Sequence, residues 1–123
     1  MSIFERASVQ AWRDLETGVQ STPEDAWREA IKSMTDSQKT VLKGCTRSAF
    51  ADLYRAEALN HDEVNVGDNG RYALRALRML QTDPSWLNAS KASLWRAVRK
   101  EGEAKNHNGQ LDVVLGLVRA GIL

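Results

Sequence analysis

The chain has 123 residues, 42% of them hydrophobic and 27% charged, with a formal net charge of +1. This is the size and composition of one globular domain, and it excludes a mainly disordered chain. The longest apolar run, 113–118, is broken by Gly116, far short of the roughly 20 residues that cross a bilayer. The first residues show no basic stretch followed by an apolar one, so a cytoplasmic setting is expected. The single cysteine, Cys45, supports neither an intrachain disulfide nor a zinc site on its own.

Six helices are expected in chain order. The first covers 2–17, with Ser2 as its cap and Glu5 as the capping-box partner. Phe4, Ala7, Ala11, Trp12 and Leu15 share one face of it, and Gly18 ends it. The second opens at Thr22-Pro23 and carries Ala26, Trp27, Ala30, Ile31 and Met34 inward. The third covers 46–59 with Thr46 as cap, and residues 39–43 add a short turn before it. A polar stretch over 61–70 holds the one β-like run, 64–66. The fourth opens at Asn69 and is broken by Asp83-Pro84. The fifth opens at Ser90 and stops at Gly102, and the sixth opens near Asn108. Three of the four tryptophans are read as core; Trp86, in the loop after Pro84, is the most exposed.

Short matches link the two halves. Arg6, Ala11, Arg13 and Leu15 repeat as Arg71, Ala76, Arg78 and Leu80, at an offset of 65. Trp27 corresponds to Trp95 and Leu53 to Leu117, at offsets of 68 and 64. The fold expected is all-α: a compact six-helix bundle of two pseudo-repeated three-helix units on one core. It forms a single helical domain over 1–123, with halves 1–60 and 69–123 joined by a polar linker, 61–68. Charge is unevenly shared. Residues 1–68 carry a net −4 and residues 69–123 a net +5, so the basic half is expected to pair with the acidic half of the same or a neighbouring molecule.

Two pre-helix segments concentrate polar chemistry. Lys43-Gly44-Cys45-Thr46-Arg47 leads into the third helix, where free backbone N–H groups and two cations would suit an anion. The helix dipole also favours a thiolate at Cys45. The plainer reading is a helix cap with a small buried thiol. The second segment, 105–112, holds His107, Asn108 and Gln110, and its plainer reading is a cap and a hydrogen-bonded loop. Opposed across a pseudo-twofold, Cys45 and His107 would make a nucleophile and its base. Separately, Arg71, Arg75 and Arg78 share one helix face, with Arg96 on the next helix, which suits phosphates; the plainer reading is a solvated face.

The blocks Lys43-Gly44-Cys45-Thr46-Arg47-Ser48-Ala49-Phe50 and 107–115, with Asp112-Val113-Val114-Leu115 at its end, resemble those of a family of small, uncharacterised bacterial proteins, a domain of unknown function. This sequence has Thr46 where that pattern has proline and Ser48 where it has glycine. The resemblance implies no activity; it draws attention to the Cys45 and His107 segments.

The function expected is a small ligand-binding or protein-interaction module without catalysis. Lys43, Arg47, His107, Asn108 and Gln110 would be its recognition residues, and a small anion or a protein its partner. The alternatives are nucleic-acid association through Arg71, Arg75, Arg78 and Arg96, which is not favoured, and a small thiol enzyme built on Cys45 and His107. No cofactor, metal or membrane partner is expected, and the sequence leaves the oligomeric state open.

Overall fold

The computed structural model of the protein describes residues 1–62, 65–99 and 109–123. All its regular elements are helical: α1 (Ile3–Glu16), α2 (Pro23–Lys32), a single-turn α3 (Gln38–Val41), α4 (Gly44–Ala58), α5 (Asp68–Thr82), a 3-10 turn (Pro84–Asn88), α6 (Lys91–Val98) and α7 (Gln110–Arg119). The six expected helices are present, and the turn expected over 39–43 is α3. Residue 64 of the β-like run lies outside the described residues; Asn65 and Val66 form no strand.

Helix starts follow local chemistry. Thr22 Oγ1 accepts from the Asp25 amide just ahead of Pro23, and Ser90 Oγ accepts from the Ser93 amide. Asp83 Oδ1 accepts from the amide and hydroxyl of Ser85, starting the 3-10 turn once Pro84 has ended α5. Two expected caps are corrected. α4 opens at Gly44 with Lys43 in the capping position, so Thr46 sits inside the first turn and its hydroxyl donates to the Lys43 carbonyl at 3.3 Å. The capping box at Ser2 is only half formed. Ser2 Oγ accepts from the Glu5 amide at 3.2 Å, but the Glu5 carboxylate turns to Arg119 and Lys91. α7 opens on Gly109 at φ 94°, a conformation that suits glycine. Asn108, expected as that cap, lies outside the described residues; the fifth expected helix, α6, ends at Val98 with Arg99 extended in its capping position, short of the stop expected at Gly102.

The buried side chains form one cluster drawn from both halves. Trp27 of α2, fully buried, brings its ring 6.4 Å from that of Phe4 of α1 and 5.5 Å from that of Phe50 of α4, joining three helices. Trp12 and Trp95 are also buried, and Trp86 is the half-buried tryptophan. α7 is buried on all sides from Leu111 to Leu117, as a helix enclosed by others must be. Each such leucine contributes roughly 1.5–3 kcal/mol by leaving water.

α1 packs broadly on α2 and α7, α2 on α4, and α5 on α4 and α7. The internal packing of the halves does not repeat. In the first, contact runs α1 to α2 to α4; in the second, α5 packs on α7 and touches α6 more narrowly. Two close approaches fix the frame. A Cβ on Gly116 would run into the Glu5 carbonyl and stand 2.8 Å from Ser8 Oγ, so glycine there sets how near α7 lies to α1. A Cβ on Gly70 would run into the Asp52 carboxylate, so α5 crosses α4 over that acid.

Candidate functional site

Five side chains form a polar seam between α1, α6 and α7 that sequence reading did not single out. Glu5 and Asp112 are buried, each in the first turn of its helix, where the dipole favours a negative charge. Lys91 Nζ lies 2.6 Å from Asp112 Oδ1 and 3.5 Å from Glu5 Oε1, and Arg119 Nη1 lies 3.1 Å from Glu5 Oε1. Ser2 Oγ donates to Asp112 Oδ2 at 3.0 Å. Burial pulls the Lys91 ammonium down, but its bond to Asp112 and the charges of Asp112 and Glu5 outweigh this and hold it above the usual lysine value. The two cations, partly exposed, reach in from the surface to the buried acids, so two positive and two negative charges are paired within the seam. The one signal in the sequence was Ser2 with Glu5 three residues on, which points to a cap rather than to partners as far as 110 and 114 residues away.

The starts of α4 and α7 lie side by side. A Cβ on Gly109 would stand 2.6 Å from Thr46 Cγ2 and 3.1 Å from Phe4 Cδ2. Neither helix has a side-chain cap bond. Lys43 Nζ stands 5.2 Å from the centre of the Phe4 ring, and Cys45 and Arg47 are half-buried in the first turn of α4. Gln110 is buried and donates to Asn69 Oδ1 at 2.8 Å, tying the start of α7 to that of α5. His107 and Asn108 lie outside the described residues, so the pairing of Cys45 with His107 falls outside them too. No group of His, Cys, Asp and Glu among the described residues is placed to hold a metal ion.

The arginine face forms a groove. Arg71, Arg75 and Arg78 of α5, with Val66, Leu74 and Met79, line an open cleft of about 420 Å³. It continues past Arg78 and Met79 into a second cleft of about 250 Å³ bordered by Asp83 and Trp86. Val66 also borders a smaller cleft of about 110 Å³ lined by Asp52, Arg55, His61 and Asp62. Arg71 pairs with Asp68 one turn back, and Arg78 Nη1 lies 2.7 Å from Glu57 Oε1 on α4. Arg75 donates to the Val98 carbonyl at 3.2 Å and stands 5.8 Å from the centre of the Tyr72 ring. Arg96 is exposed on α6, reaches Ser93 Oγ at 3.4 Å, and does not border these clefts. The i, i+4, i+7 spacing announced the three cations; the contribution of Val66, from the loop ahead of α5, had no local signal.

At the smaller cleft, Asp52 Oδ2 accepts from the Gly67 amide at 3.2 Å, at the start of α5. Burial nonetheless pushes the Asp52 carboxyl above its usual range, outweighing that bond and the charge of Arg55. Arg55 itself makes two 2.7 Å bonds to Glu24, which hold the Glu24 carboxyl below its usual range.

A family of unknown function (DUF6979) matches residues 1–123, and the chain belongs to it. No curated protein and no solved structure matches the chain. No described helix is long and apolar enough to cross a membrane.

Proposed function

We propose that this member of a family of unknown function is a binding module that works through the α5 groove and takes an anionic, chain-like ligand. One observation carries the reading: a cleft of about 420 Å³ in which three arginines converge on an apolar lining of Val66, Leu74 and Met79. Concave, largely apolar sites with a few placed polar groups are where ligands are most often found. Guanidinium groups offer a planar fork of donors that matches carboxylates and phosphates. The described lining supplies donors but no nucleophile and no base that titrates near neutral pH, which favours binding over catalysis. Titrating isotope-labelled protein with oligoglutamate should move the amide resonances of 66–79, less so as salt is raised. The Arg71→Ala and Arg75→Ala variants should lose that response. Resonances of 66–79 that stay fixed throughout overturn the reading.

A second reading has its own support in the adjoining, uncapped starts of α4 and α7, with Lys43 and Arg47 on the first of them. Two dipole ends together suit a small anion. Inorganic phosphate is the probe. Shifts at 43–47 and 109–111 that vanish in Arg47→Ala and persist in Arg75→Ala assign the anion site to that end of the molecule.

A further inference from the structure

We infer that the occupant of the α5 groove is an extended acidic peptide segment of another protein, with carboxylates alternating with aliphatic side chains; this rests on the groove reading above. The spacing of the cations sets the first condition. At 1.5 Å per residue, Arg71 and Arg75 are about 6 Å apart along the helix axis and Arg78 about 4.5 Å further. In an extended chain, side chains two residues apart point the same way and lie about 6.6 Å from one another. Carboxylates two residues apart therefore match the step from Arg71 to Arg75, and Arg78, set closer than the next repeat, meets a third only by swinging its long side chain. The side chains between them turn the other way, and the Val66, Leu74 and Met79 lining gives aliphatic groups a surface to cover.

Charge complementarity points to the same occupant. The side chains of Arg71 and Arg78 remain 47% and 48% exposed although each faces a carboxylate of its own chain. An incoming carboxylate shares a guanidinium that is already oriented, so little side-chain freedom is lost on binding. Binding of this kind is weak and salt-sensitive.

A nucleic-acid strand fits less well. Its sites follow the backbone with a continuing basic track and stack bases on aromatic side chains. Here the basic stretch is about 10 Å long. It gives way to Asp83 at one end and to Asp52 and Asp62 at the other. Besides its arginines, the described lining of the 420 Å³ cleft is aliphatic, and the aromatic residue that borders its continuation, Trp86, lies past Arg78 beside Asp83.

Fluorescence anisotropy with three labelled probes tests this on the intact chain: an alternating Glu-Leu hexapeptide, an alternating Glu-Ser hexapeptide, and hexameric oligothymidylate. The Glu-Leu peptide should bind best, with its affinity falling roughly tenfold in Arg71→Ala or Arg75→Ala. The Glu-Ser peptide should bind several-fold more weakly, a comparison that needs no protein variant. Equal binding of the two peptides overturns the alternating aliphatic recognition. Tighter, Arg75-dependent binding of the oligonucleotide overturns the peptide and leaves the groove reading standing. If no probe shows Arg71- or Arg75-dependent binding, the groove reading falls with it.

Discussion

The seam between α1, α6 and α7 and the groove on α5 are built from the same materials and come out opposite. In both, cations of the basic half meet acids of the acidic half: Lys91 and Arg119 meet Glu5, and Arg78 meets Glu57. In the seam the acids are sealed, with Glu5 and Asp112 side chains 3% and 9% exposed, and the cations reach in to them. In the groove the cations border a cleft open to solvent. A buried acid fixes its cation as a structural part, whereas a cation on an open cleft keeps the capacity to bind something else. The uneven charge of the two halves is thus answered in part within one molecule, at the seam and at Glu57, while the groove still presents arginines of the basic half to solvent.

If that division holds, damage to the seam shows as lost stability and damage to the groove as lost binding. The largest effect is expected from Gly116→Val, whose side chain has no room against Glu5 and Ser8. It should lower unfolding free energy by about 3 kcal/mol, at the upper end of overpacking costs, read by chemical denaturation. A variant as stable as the parent would mean that α1 and α7 can part freely. Asp112→Ala should cost about 2 kcal/mol, because Ser2 and Lys91 lose their shared acceptor.

The seam also has a pH signature. The folded Lys91 pKa lies above its unfolded value, so its stabilisation is complete below the ordinary lysine range and is lost as pH rises through the folded value. Lys91→Met should flatten that alkaline loss; an unchanged alkaline limb would sever Lys91 from the seam's stability. Asp52 runs the other way. Its folded pKa is raised, so its ionised form weakens the fold at neutral pH and its contribution improves as pH falls through the folded value. Asp52→Asn keeps an acceptor for Gly67 and should be the more stable protein at neutral pH, with the gain disappearing in acid. The smallest change in stability belongs to the groove: Arg71→Ala should stay within about 0.5–1 kcal/mol of the parent in denaturation while losing peptide binding. A large stability loss there would erase the contrast.

What could be read in advance was local. Thr22-Pro23, Ser90 and Asp83-Pro84 mark helix boundaries by chemistry within four residues, and the structure uses them so. Thr46 misled because a hydroxyl just ahead of an apolar stripe reads as a cap, while α4 opens two residues earlier with no side-chain cap. Glu5 misled because a capping box is a three-residue pattern, and the charges that outbid it sit on helices far along the chain. Matching short segments at a near-constant offset says nothing about which helix faces which, and α2 and α6 occupy unlike positions in their trios. The arginine row was legible from spacing; that it borders a cleft depends on Val66, Leu74 and Met79 meeting in space.

The hydrogen bond from Ser2 to Asp112 joins positions 110 residues apart. On a ribosome, α1 therefore emerges long before the helix that completes its seam. At about 5–20 residues per second, the delay is on the order of ten seconds. During that interval α1 has α2 to lean on, but Glu5 has neither Lys91 nor Arg119 and the face that meets Gly116 is bare. The core closes only when α7 arrives, so a nascent chain stalled before it would present a half-built helical hairpin to chaperones and proteases.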